Sequence, residues 1–147
     1  DYTLTLSAEK VKEHGIQIYK SFSKGYKEAR PLQLEGMNRV ISSEGTAHRM
    51  TAILQVEQEA DKAVRYGKYY LYAKTGTINS NSRNHTDRHR LGVVIADQDL
   101  SKTPIDKLYK VKFYVVFFAF NRTGHFGTYA TILKEIMESD TFKRYMN

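Results

Sequence analysis

The residues best equipped for chemistry stand four in a row, Lys74-Thr75-Gly76-Thr77, and they close the aromatic run Tyr69-Tyr70-Leu71-Tyr72-Ala73. They offer one ammonium, two hydroxyls and a position without a side chain. A second group, His85-Thr86-Asp87-Arg88-His89, sets two histidines four residues apart around an aspartate. On a helix that spacing could bind zinc. Asn, Ser and Arg surround it here and the arginines would repel a cation, so it reads as a solvated loop and no metal site is expected. The stretch 107–112 (KLYKVK) alternates basic and apolar residues. That suits a strand with one wet face, or interleaved aromatics that stack on bases.

Positioning these residues requires regular elements, and hydrophobic periodicity predicts them. Residues 7–22 have partial helical spacing at Val11, Ile16 and Tyr19, with Gly15 weakening it. Residues 24–30 are polar, include Gly25, and read as a loop. Pro31 suits a first helical position, and Leu32, Leu34, Met37, Val40 and Ile41 form an apolar stripe that Gly45 closes. Residues 49–64 read as a second helix, with Met50, Ile53, Leu54, Val56 and Val64 among charged residues. The pattern then changes. Residues 68–77 fit a tyrosine-rich strand, 78–90 a polar loop, and 91–96 (LGVVIA) a second strand. A turn-rich link containing Pro104 leads to a third strand over 111–120, and 128–137 (TYATILKEIM) makes a closing amphipathic helix. Helices, an antiparallel meander and a final helix packed on the sheet define an α+β fold, read here as one segment spanning 1–147.

Composition bounds the function classes. The chain has 147 residues, 41% of them hydrophobic and 27% charged, which suits one globular unit. The longest apolar run, 113–120 (FYVVFFAF), is too short to span a bilayer and reads as a buried strand. Absence of cysteine excludes disulfides and thiolate metal sites without fixing the compartment. The net charge of +7 favours an anionic partner, but lysines and arginines are spread along the sequence, which argues against a dedicated nucleic-acid surface.

The Lys-Thr-Gly signature belongs to the set found in penicillin-binding proteins and serine β-lactamases, and its context here is similar. Leu34-Glu35-Gly36-Met37-Asn38-Arg39-Val40-Ile41 followed by Gly45-Thr46-Ala47 resembles the helix and turn that precede this signature in transpeptidase domains. Residues 90–96 and 112–120 resemble the next two strands, and 127–137 the C-terminal helix over the sheet. The resemblance covers residue 31 to the end. Two departures are a longer link over 49–67 and a strand after the loop without the usual aromatic-rich start.

That resemblance implies a fold and a set of roles. Lys74 would bring positive potential to the cavity and help proton transfer, and Thr77 would supply a backbone N–H to the oxyanion hole. Thr75 and Thr77 would offer hydroxyls to a terminal carboxylate, while Gly76 would let the substrate lie against the strand as an added strand. The implied substrates are peptidoglycan stem peptides and β-lactams. The implied reaction is serine acyl transfer on D-Ala–D-Ala, in a membrane-anchored parent acting in the periplasm or at the cell surface. Neither metal nor organic cofactor is needed.

The serine itself is the gap. S-x-x-K sets a hydroxyl and an amine on one helical turn. Ser7-Ala8-Glu9-Lys10 and Ser21-Phe22-Ser23-Lys24 match it, but both lie too close to Lys74, and Ser82-Arg83-Asn84 fits the S-x-N element in the wrong order. None is expected to be catalytic. The chain therefore reads as the C-terminal part of a transpeptidase domain, inactive alone, whose N-terminal remainder carries the nucleophile. Without those strands, an apolar sheet face or edge is expected to lie uncovered. A β-lactam sensor or a catalytically silent relative keeps the fold but changes the role. A basic nucleic-acid or surface-binding module would make KTGT accidental.

Overall fold

The computed structural model describes residues 7–59, 62–78, 88–119 and 126–147. Two helices open the chain, each started by a serine. Ser7 Oγ accepts the Lys10 N–H at 3.3 Å at the head of α1 (Ala8–Ser21), and Ser23 Oγ accepts the Tyr26 N–H at 3.2 Å at the head of α2 (Lys24–Arg39). The second cap corrects the loop expected over 24–30: with Ser23 holding the first turn, Gly25 costs only about 1 kcal/mol and does not stop the helix. Pro31 consequently sits inside α2 rather than at its start, and Leu32 points outward, 70% exposed.

A tight turn follows α2. A Cβ at Gly45 would run into the carbonyl oxygens of Arg39 and Val40, so only glycine fits there. Helix α3 is short (Arg49–Leu54) and ends at Gln55, whose φ of 51° is left-handed. The helix expected over 49–64 is thus cut after one and a half turns. Beyond it Glu57 exchanges backbone hydrogen bonds with Arg65 at 2.8 and 3.1 Å, opening a hairpin instead.

Four strands make one antiparallel sheet in the order β1-β2-β3-β4: β1 (Arg65–Tyr66), β2 (Tyr69–Ile78), β3 (Arg88–Ala96) and β4 (Phe113–Ala119). Gly67, with φ +56°, makes the turn between β1 and β2. Strands β2 and β3 extend past the expected loop boundaries to include Ile78 and Arg88, and the rest of that loop, with Ser82, His85 and Asp87, lies outside the described residues, as do Gly124 and His125. The strand suggested by the alternation in 107–112 is instead a 3-10 turn, Ile105–Lys110, started by Pro104 and closed by a Val111 N–H to Leu108 carbonyl bond of 3.0 Å. Strand β4 begins after it, at Phe113. The closing helix α4 (Phe126–Glu138) is followed by a further helix, α5 (Asp140–Met146), capped by Ser139. The architecture is α+β with a C-terminal helix on an antiparallel sheet.

The strand period of two divides the sheet into unlike faces. Leu71, Ala73, Leu91, Val93 and Ile95 are completely buried against α3, α4 and α5, where Leu133 and Phe142 are also fully enclosed. On the opposite face Tyr72, Ala96, Leu100 and Val111 pack with Leu34 and Met37 of α2 and with Leu108. On β4 of that same face nothing described covers Val115, in the row of Tyr72 and Val94, or Phe117, in the row of Lys74 and Gly92; they are 66% and 68% exposed.

Candidate functional site

Lys74, Thr75, Gly76 and Thr77 form the distal half of β2, facing Gly92, Leu91, Arg90 and His89 of β3 in register. On its other side β2 pairs with β1 only at Tyr69 and Tyr70. Beyond Tyr70 the strand therefore has a free edge among the described residues. Asn38, 4% exposed, marks where pairing stops: its amide donates to the Val64 and Leu71 carbonyls at 2.9 and 2.8 Å, and its Oδ1 accepts the Val64 N–H at 2.7 Å. Since the Leu71 carbonyl points to the β1 side, strand alternation directs the backbone groups of Ala73, Thr75 and Thr77 to that same free edge.

The side chains divide between the faces. Lys74 and Gly76 share parity with Tyr72 and lie on the face that carries Val115 and Phe117. Lys74 is exposed, and its ammonium donates to the Thr75 carbonyl at 2.6 Å. Thr75 and Thr77 take the other parity, and Thr77 Oγ1 lies 3.4 Å from His89 Nδ1. Gly76 has no left-handed φ, and a Cβ there would meet only Arg90 Cβ at an ordinary 3.8 Å. Among the described residues, neither the backbone nor the packing requires a glycine at that position.

The base of the site is held by side-chain hydrogen bonds. Tyr72 O–H donates to Asp99 Oδ1 at 3.1 Å and accepts the Leu100 N–H at 2.8 Å. Burial raises its phenol pKa above the ordinary value, against the lowering effect of the Leu100 N–H. Behind the far end of β3, Tyr129 of α4 donates to the His89 carbonyl at 2.8 Å, and the His89 ring rests on Phe126 with centroids 5.6 Å apart. Burial also pushes the Tyr129 phenol up, with the Arg90 charge acting the other way.

All four residues singled out in the sequence are thus brought together on one strand edge, while the serines considered beside them are not. Ser7 and Ser21 stand at opposite ends of α1, whose packing partner is the turn Ile105–Lys110. Ser21 Oγ donates to the Ile18 carbonyl at 2.5 Å, and Lys24 pairs with Glu28 at 3.7 Å rather than with Ser21. Among the described residues no group of three or more His, Asp or Glu side chains is gathered as a metal site, and no helix is long and apolar enough to cross a membrane. Two neighbours went unrecognised in the sequence, His89 beside Thr77 and Phe117 opposite Gly92. Both follow from the register that sets Gly76 opposite Arg90, for which the sequence carries no signal of its own. Comparisons with protein-family models, curated proteins and solved structures returned no match.

Proposed function

We propose that this chain is the C-terminal part of a penicillin-binding transpeptidase domain and that the free edge of β2 is where the parent protein docks a stem peptide or a β-lactam. The observation that carries this reading is the coincidence of KTGT with the unpaired edge. The glycine that no packing among the described residues requires adds to it. An extended peptide laid along Ala73, Thr75 and Thr77 gains main-chain hydrogen bonds as an added strand, and a bare Gly76 lets it approach. The hydroxyls of Thr75 and Thr77 receive the terminal carboxylate. The Thr77 N–H donates to the oxyanion, a contribution of about 3 kcal/mol in comparable sites. Lys74 swings from the Thr75 carbonyl to the cavity, where its charge favours the developing anion and eases proton transfer.

The nucleophilic serine and its base come from the N-terminal remainder of the domain, seated over the open face of Lys74, Val115 and Phe117. In the assembled site the serine oxygen attacks the D-Ala–D-Ala amide carbon, the C–N bond breaks, and the released D-Ala amine takes the proton. An amine or water then resolves the acyl-enzyme.

Labelling the full gene product with a fluorescent penicillin tests this. Gly76→Val has room to fold yet fills the docking edge, so labelling should fall about tenfold or more, and Lys74→Ala should fall similarly. The chain alone should take no label. A wild-type parent that never labels, or a covalent adduct on Ser7 or Ser21 in this chain, would sink the proposal.

A further inference from the structure

We infer that the groove between α1, α2 and the turn Ile105–Lys110 docks on an anionic lipid surface. Lysines and arginines look dispersed along the sequence, but the fold gathers two distant stretches. Residues 9–30 and 105–112 together carry nine of them against four carboxylates, an excess of five in a chain whose net charge is +7. Helix α1 packs on the turn and leaves a groove of about 350 Å³ whose lining includes Val11, Ile18, Phe22, Tyr26, Leu108 and Tyr109.

The groove's walls are apolar yet open to water: Val11 is 41% exposed, Ile18 56% and Tyr26 45%. The ammonium groups of Lys12 and Lys110 stand 5.2 and 5.7 Å from the centre of the Tyr109 ring at its rim. One acid, Asp106, also lines it. Arg30 is committed elsewhere, donating to the Thr103 and Leu100 carbonyls at 3.1 and 3.2 Å.

Charge complementarity selects the occupant. Exposed aliphatic side chains set among lysines match the boundary between acyl chains and anionic headgroups, where apolar burial and cation attraction add. Nucleic acid uses the cations but has nothing to bury Val11 and Ile18 against. The Tyr109 ring that would stack a base already has two ammonium groups within about 6 Å of its centre. This inference stands apart from the acyl-transfer reading and survives its failure.

The test is co-sedimentation of the full chain with vesicles of phosphatidylcholine, alone or with about 30 mol% phosphatidylglycerol. Binding should be about tenfold stronger to the anionic vesicles and weaken with salt. Lys12→Glu with Lys110→Glu should remove most of it. Val11→Ser with Ile18→Ser, which leaves the charge unchanged, should also reduce it severalfold, with circular dichroism reporting whether α1 stays folded. Val115→Ser with Phe117→Ser on the open sheet face should bind as wild type. Three results would each overturn the inference. One is no preference for anionic vesicles, which leaves the groove to a protein partner. Another is loss of binding in the sheet-face variant instead of the groove variants. The last is equal affinity for duplex DNA that is indifferent to Val11 and Ile18.

Discussion

Val115 and Val116 are neighbours of the same type on β4, and the sheet treats them oppositely: Val116 packs against the core and Val115 is 66% exposed. The contrast extends across the whole sheet. On one face α3, α4 and α5 bury every inward side chain of β2 and β3 from Leu71 to Ala73 and from Leu91 to Ile95. On the other, α2 covers only the Tyr72 end. An antiparallel sheet with one solvated face normally alternates apolar and polar residues. Strand β4, Phe113–Ala119 (FYVVFFA), has no charged or strongly polar side chain in either set. Its composition is that of a strand covered on both faces, and among the described residues its outer edge pairs with no further strand and carries no charge or proline. The difference teaches that the described residues finish one face and leave large apolar side chains of the other exposed, on the face that carries Lys74.

The most forceful way to break that comparison is to perturb the two faces equally and compare costs. Leu133→Ala empties a fully buried site under the covered face and should cost about 2–5 kcal/mol in urea unfolding. Phe117→Ser should stay within about 0.5 kcal/mol and lessen self-association. Similar losses for both variants would mean that Phe117 is covered in solution, and the contrast between faces would fail.

Next in size is Asn38, which joins the half-covered face to the end of β1. Asn38→Ala strands the buried Val64 N–H and removes donors from two carbonyls, so it should cost about 2–3 kcal/mol. Hydrogen exchange should speed at Val64 before it speeds in α4. Uniform acceleration across the sheet would show that Asn38 is not the local clamp that separates the paired and free parts of β2.

How far the sequence disclosed this arrangement follows from range of interaction. Strands β2, β3 and β4 were legible because β-branched and aromatic residues concentrate in short runs bounded by polar or turn residues, and helix α4 because its amphipathic spacing is local and strong. The KTGT residues were legible as a motif because they are contiguous. The first half of α2 was not, since Gly25 and a run of charges look like a loop until Ser23 is seen to cap it. The region 49–64 misled because Met50 and Leu54 belong to a helix while Val56 and Val64 belong to a hairpin, and Val64 happens to fall on the helical face of Met50 and Leu54 although Val56 does not. Strand β1, two residues long, is defined by Tyr69 and Tyr70 and has no signal of its own. What faces the motif, His89 on one side and Phe117 on the other, depends on cross-strand register, which no local pattern states.

The smallest expected effect sharpens the comparison at the rim of the covered face. Tyr66 on β1 donates to Glu138 Oε1 of α4 at 2.9 Å. Its phenol is pushed up to about 12, first by burial and then by the hydrogen bond to Glu138 and the charge of that carboxylate. The fold therefore holds a neutral phenol more tightly than the unfolded chain does. Its contribution is complete below the ordinary phenol value of about 10 and is lost as pH rises through about 12, because over that window the unfolded state has already released the proton. Tyr66→Phe has no such proton to lose. Denaturation midpoints at about pH 9 and about pH 11.5 should show wild type falling further than the variant, so that the gap between them narrows with alkalinity. Tyr66 is partly open to solvent, which keeps the difference small. Parallel slopes would mean that the Tyr66–Glu138 bond is not held in solution, and that the covered face is fastened by its apolar contacts alone.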